Sequence, residues 1–189
     1  MQILVACEFS GLVRDAFIAR GHDAMSCDLL PGHGNGPHYQ GNVLEILDNG
    51  WEWDMMIAHP PCTHLAVSGA RWFAEKSRDG RQQAAMEFFM ALANAPIPKI
   101  AIENPVCVMS TAWRKPDQII QPWQFGEEYQ KTTCLWLKNL PPLLPTQVVG
   151  KGEFVIHGSK RFPKWYSNRE RNRSTTFLGI ARAMAEQWG

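Results

Sequence analysis

The sequence predicts one α/β domain, a mostly parallel sheet with helices on both faces. Three observations predict it. Strand-length apolar runs alternate with segments of helical spacing through the first hundred or so residues, the order of β-α-β units. The residues that look chemical fall in the loops following those strands, where parallel sheets bind their ligands. The chain has 189 residues, 45% hydrophobic and 20% charged, which suits a single soluble core.

Residues 3–6 form a short buried-strand run, and residues 12–20 follow with Val13, Ala16 and Phe17 at helical spacing. Gly21 and His22 turn the chain into a second strand at residues 24–27, and a Gly/Pro/His-rich loop covers residues 31–41. The next strand spans residues 54–58 and stops at His59-Pro60-Pro61. A long helix is expected over residues 80–94, with Ala84, Ala85, Phe88, Phe89, Ala91 and Leu92 as a wide apolar stripe. Residues 99–102 form another strand, ending at Glu103-Asn104-Pro105. Beyond Pro116 the pattern loosens: residues 119–120 and 134–137 read as strands, and Pro141, Pro142 and Pro145 break the chain. Residues 143–174 read as a small irregular segment. Ile180, Ala183, Met184 and Trp188 predict a closing helix within 176–188 that packs back on the sheet.

This arrangement brings Phe9-Ser10-Gly11, Asp28, His59 to Cys62, and Glu103 to Pro105 to one edge of the sheet. Each has a chemical reading. A tight turn between strand and helix lets backbone amides and the helix N-terminus approach a cofactor. An acid ending the second strand can hydrogen-bond ribose hydroxyls. Two prolines stiffen the backbone and present Cys62 at a strand end, and a thiolate is the natural nucleophile for an aromatic pyrimidine ring. A carboxyl at Glu103 can hydrogen-bond the ring nitrogen and favour its protonation.

No apolar run approaches the roughly 20 residues that span a bilayer, so no membrane role is expected. The start of the chain lacks a basic segment and a small-residue cleavage site, so a cytoplasmic location is expected. Five scattered cysteines fit free thiols in a reducing compartment, and no pair has zinc-site spacing. The net charge is +1, but residues 151–173 hold seven Lys or Arg against Glu153 and Glu170, with Phe154, Phe162, Trp165 and Tyr166 interleaved. That mixture suits phosphate contact and base stacking.

Taken in order along the chain, these features resemble the cytosine-carbon-5 DNA methyltransferases. VACEFSGLVRDAF is similar to their cofactor loop, with Val13-Arg14 where further glycines are common. CDLLP offers Asp28 for the ribose, and Gly41-Asn42-Val43 resembles the adenine-side motif with Asn42 in place of the acid. HPPCTH matches the nucleophile loop, IENP the Glu-Asn pair that binds the target base, and TFLGIARAMAEQW the closing motif. YQKTTCLWL looks like a reduced form of a later strand, keeping Gln130 and a basic Lys131.

The resemblance covers residues 1–140 and 174–189, and it implies a single-domain Rossmann-like methyltransferase fold over 1–189 with S-adenosyl-L-methionine as cofactor. It implies Cys62 and Glu103 as catalytic residues, and Phe9, Ser10, Gly11, Asp28, Asn42, Pro60, Phe177 and Gly179 around the cofactor. It implies DNA as partner, with Lys131, Lys160, Arg161, Lys164, Arg169, Arg171 and Arg173 on the nucleic acid. A short basic and aromatic insert, 143–174, stands where such enzymes carry a target-recognition domain. A minimal, phage-like form acting as a monomer is therefore expected, in a bacterial host or phage-infected cell.

Three other readings stay open. A zinc deaminase would use the cluster of His59, Cys62 and His64, but its mechanism needs His-x-Glu with Pro-Cys-x-x-Cys, and Ala66 follows Leu65 here. A methyltransferase-like fold that only binds nucleic acid has no use for both Cys62 and Glu103. The third keeps the chemistry and changes the substrate to a free nucleotide or single-stranded DNA, which the sequence does not exclude.

Overall fold

The order of elements in a computed structural model, which describes residues 1–154 and 175–189, begins with β1 (Gln2–Ala6), α1 (Leu12–Ile18), β2 (Asp23–Asp28) and β3 (His38–Gln40). Next come α2 (Val43–Asp48), β4 (Met55–Ala58), α3 (Phe73–Arg78), α4 (Arg81–Ala93) and β5 (Lys99–Asn104). The chain continues through α5 (Met109–Ala112), β6 (Gln118–Ile120), β7 (Tyr129–Gln130), β8 (Thr133–Lys138), β9 (Glu153–Phe154) and α6 (Leu178–Trp188). Short 3-10 helices occupy Val67–Trp72 and Pro122–Gln124.

Seven strands form one sheet in the order β3-β2-β1-β4-β5-β8-β6. β3, β2, β1, β4 and β5 pair in parallel, and β8 runs antiparallel between β5 and β6. β7 and β9 pair separately. The winding reverses between β1 and β4, so the carboxyl ends of the parallel strands open onto one edge at a switch point.

Burial explains the central strands. Ile3, Leu4, Val5 and Ala6 are fully buried, and so is all of Met55–Ala58. β4 reads MMIA; two unbranched methionines open it because burial, rather than β propensity, decides a middle strand. Side chains alternate between faces, as the pleat requires. Ile3, Val5, Met55, Ile57, Ala101 and Leu135 pack with Phe17 of α1 and Ile180, Met184 and Trp188 of α6. Leu4, Ala6, Met56, Ala58, Ile102 and Trp136 pack with Ile46 of α2 and Phe89 and Leu92 of α4. Helices thus cover both faces.

Some expectations change. The apolar stripe of α4 is narrower than its sequence suggests: Phe89 and Leu92 are buried, but Ala84 and Ala91 are exposed because a helix on one sheet face needs only a narrow contact. The region expected as loop over 31–41 contains β3, paired to β2 at Ser26↔His38. No helix crosses from β2 to β3. Arg14 of α1 fills that place; fully buried, it pairs with Asp15 at 2.8 Å and donates to Ser26 Oγ at 3.0 Å, His33 O at 3.1 Å and Pro37 O at 3.4 Å. The guanidinium satisfies carbonyls that a crossover helix would satisfy internally. Most of the basic insert, with Lys160, Arg161, Lys164, Arg169, Arg171 and Arg173, lies outside the described residues. Among the described residues no helix is long and apolar enough to cross a membrane.

Candidate active site

The site is built where β4 and β5 end side by side. Their register pairs Ala58 with Ile102, which sets the next residues, His59 and Glu103, abreast. Glu103 Oε2 lies 3.1 Å from His59 Nδ1, with side-chain exposures of 12% and 4%. A carboxylate accepts only, so Nδ1 carries the hydrogen. The Thr176 hydroxyl approaches the same nitrogen at 3.5 Å. Burial alone would raise the Glu103 carboxyl, but the His59 hydrogen bond, then the charges of Lys131 and His59, bring it below its usual range.

The two loops are laced together. Asn104 Nδ2 donates to Pro60 O at 2.8 Å, Val67 N to Val106 O at 3.0 Å, and Val108 N to Leu65 O at 3.0 Å, with a bridge between Ala66 and Cys107. The amides of Leu65 and Ala66 close a turn on Cys62 O at 3.0 and 2.9 Å. Lys76 Nζ holds Thr63 O at 2.6 Å from below. Cys62, half-buried, is held in this laced loop three residues beyond His59.

The other cysteines are poor nucleophiles. Burial first, then Asp28, raises the thiols of Cys7 and Cys27, the latter to about 12. Burial also raises Cys107, and Cys134 to about 11. Thiols held protonated do not attack carbon. Cys62, half-buried in the loop after β4, is the candidate nucleophile.

The loop after β1 does something other than the sequence suggested. Cys7 leaves the strand in the left-handed region, φ 58°. Glu8, 4% exposed, accepts from Val13 N at 2.8 Å and Arg14 N at 3.3 Å, and Ser10 Oγ donates to it at 3.1 Å. Glu8 thus caps the Val13 and Arg14 amides of α1, and the Arg14 guanidinium lies beside Gly11. Phe9 is buried, its ring edge-on to His33 at 5.1 Å.

Asp28 ends β2, half-buried, with Oδ1 accepting from Leu30 N at 2.9 Å. Asn42 is exposed and caps α2 through Leu44 N at 3.1 Å. Pro60 is buried. Lys131 stands by Glu103 and over the Phe177 ring at 5.8 Å, so it faces the site. Phe177 is buried against Tyr129, and Gly179 N donates to Glu127 Oε2 at 3.0 Å. The structure therefore brings Glu103, Pro60, Lys131 and Phe177 together with Asn104 of the Glu-Asn pair, and adds two residues to which the methyltransferase resemblance gave no role, His59 and Thr176. Strand register was the signal for His59, and it is visible only once β4 and β5 are paired.

Among the described residues no group of three or more His, Cys, Asp or Glu is placed to hold a metal ion. No protein-family model matches the chain, and no curated protein matches it. The functional reading stands on the residues and their geometry.

Proposed function

We propose that the protein is a DNA cytosine-carbon-5 methyltransferase with a Rossmann-like fold, using Cys62 as nucleophile. One observation carries this reading: a half-buried cysteine, preceded by two prolines, follows the end of β4, and the adjoining end of β5 carries a carboxyl only 12% exposed. Attack on a pyrimidine needs that pairing, a soft nucleophile for carbon 6 and an acid for the ring nitrogen.

S-adenosylmethionine, when bound, supplies the methyl group. Its nucleoside end suits the sheet edge beyond β1 and β2, next to the β1/β4 switch point, with the Asp28 carboxylate on the ribose hydroxyls and Phe9, Pro60 and Phe177 as apolar walls. The donor set fits it there; the capped α1 terminus leaves no role for those amides. Cys62 Sγ adds to carbon 6 of the extruded cytosine while Glu103 holds the ring nitrogen, and Lys131 steadies the carboxylate. Expulsion of Cys62 with loss of the carbon-5 proton restores the aromatic ring. The basic segment from Lys151 to Arg173 supplies phosphate contacts, which give affinity without sequence information.

Incubation with labelled S-adenosylmethionine and either duplex DNA, single-stranded DNA or free cytidine nucleotides, followed by nucleoside mass spectrometry, tests the activity. Label in 5-methylcytosine from a DNA arm supports the reading; label in adenine, or in no base, overturns it. Asp28→Ala should weaken donor binding roughly tenfold to a hundredfold, since a charge-assisted hydrogen bond contributes about 1.5–3 kcal/mol. Unchanged affinity in calorimetry would place the ribose elsewhere.

A further inference from the structure

We propose that His59 is the proton partner of Glu103, so that the acid serving the target base is the pair and not the carboxyl alone. This rests on the methyltransferase reading above.

The need comes from addition to the ring. When Cys62 Sγ bonds to carbon 6, the carbon 5–carbon 6 π pair moves into the ring and negative charge reaches the ring nitrogen. A proton must arrive there. It leaves again when the carbon 6–sulfur bond breaks and the double bond returns. Glu103 is the group in reach, yet its environment favours the ionised form, which has no proton to give.

The geometry supplies the missing proton. His59 is 8% exposed, its Nδ1 lies 3.1 Å from Glu103 Oε2, and its backbone amide is tied to Ala6 O at 2.9 Å. The ring is held in place by three elements: β1 through that amide, β5 through Glu103, and the segment before α6 through Thr176. An imidazolium–carboxylate pair is the proton tautomer of a neutral imidazole beside a carboxylic acid. Moving the Nδ1 proton to Oε2 and on to the ring nitrogen leaves neutral His59 and a carboxylate, and expulsion of Cys62 returns the proton by the same route. Nothing else is consumed. His59 Nε2 is buried without a hydrogen-bond partner among the described residues.

A ring serving only as a spacer would make a different prediction. His59→Gln keeps an N–H to donate to Glu103 but cannot carry a proton. Around the ring stand the Glu103 carboxylate, the Lys131 ammonium beyond it, and the neutral Thr176 hydroxyl, so these set the pH response.

The test is the single-turnover methylation rate against pH, on wild type and His59→Gln. The wild-type rate should fall on the alkaline side as the pair loses its proton. In His59→Gln that fall should move down toward the carboxylate range, and the neutral-pH rate should drop on the order of 100-fold, with donor affinity unchanged. An unmoved limb, or full activity, overturns the inference while leaving the methyltransferase reading intact. A wild type that transfers no methyl group overturns both. If His59→Gln does not fold, Lys131→Gln carries the test. Removing that positive charge lets the pair hold its proton to higher pH, so the limb should move up; a limb that stays overturns the inference.

Discussion

Cys62→Ala protein should bind S-adenosylmethionine as wild type does and transfer no measurable methyl group. Loss of a covalent nucleophile costs on the order of 10⁵–10⁶ in rate in enzymes where it has been removed. The substitution is small and local. The Cys62 backbone carbonyl, which holds Leu65 and Ala66, is untouched, and so are the lacing bonds from Asn104 to Pro60 and from Val108 to Leu65. The variant should therefore unfold at the wild-type temperature, separating loss of chemistry from loss of structure. The same experiment has a positive arm. Wild type mixed with DNA bearing 5-fluorocytosine should form a denaturation-resistant adduct, because fluorine does not leave as a proton does. Peptide mapping should place the adduct on Cys62. Methylation by Cys62→Ala, or an adduct on another cysteine, would sink the assignment.

How much of this was legible depended on whether the physics was local. β1, β4 and β5 stood out because strands buried on both faces are apolar runs. β3 did not: three residues, His38–Gln40, carry no apolar pattern, and they are a strand only because Ser26 and Asp28 of β2 are there to pair. α3 was missed for a similar reason. Its one buried residue is Lys76, whose ammonium supports the nucleophile loop, so hydrophobic periodicity had nothing to register.

The site divides the same way. Cys62 and Glu103 were readable, since Pro-Pro-Cys and Glu-Asn-Pro are local motifs at strand ends. The His59 contact was not, because it joins residues 44 apart in the chain through strand register. Glu8 shows a local contact that the pattern did not announce. Its carboxylate caps the first amides of α1 from just before the turn.

Gly179 was singled out as a cofactor residue, but the structure gives it a demanding task in packing, and Gly179→Ala should show it. A Cβ at this position would clash with the backbone oxygen of Phe125, which cannot swing aside as a side chain can. Its amide also donates to Glu127 Oε2 at 3.0 Å, fixing the first turn of α6 to the loop ahead of β7. Relief of the clash requires α6 to move, and α6 buries Ile180, Ala181, Ala183, Met184, Ala185 and Trp188. Overpacking against flexible side chains costs typically about 1–3 kcal/mol; against backbone the upper end or beyond is expected. For a chain of this size about 3 kcal/mol corresponds to a fall of roughly 6–12 °C in Tm. Thermal unfolding measures this directly, and a Tm within about one degree of wild type would show that the helix accommodates the methyl group. The activity of the same variant adds a second constraint. Thr176 reaches His59 from just before this helix, so displacement of α6 should slow methyl transfer together with the loss of stability. His59→Gln should slow it with Tm preserved, and that contrast separates the packing role of Gly179 from the chemical role of His59.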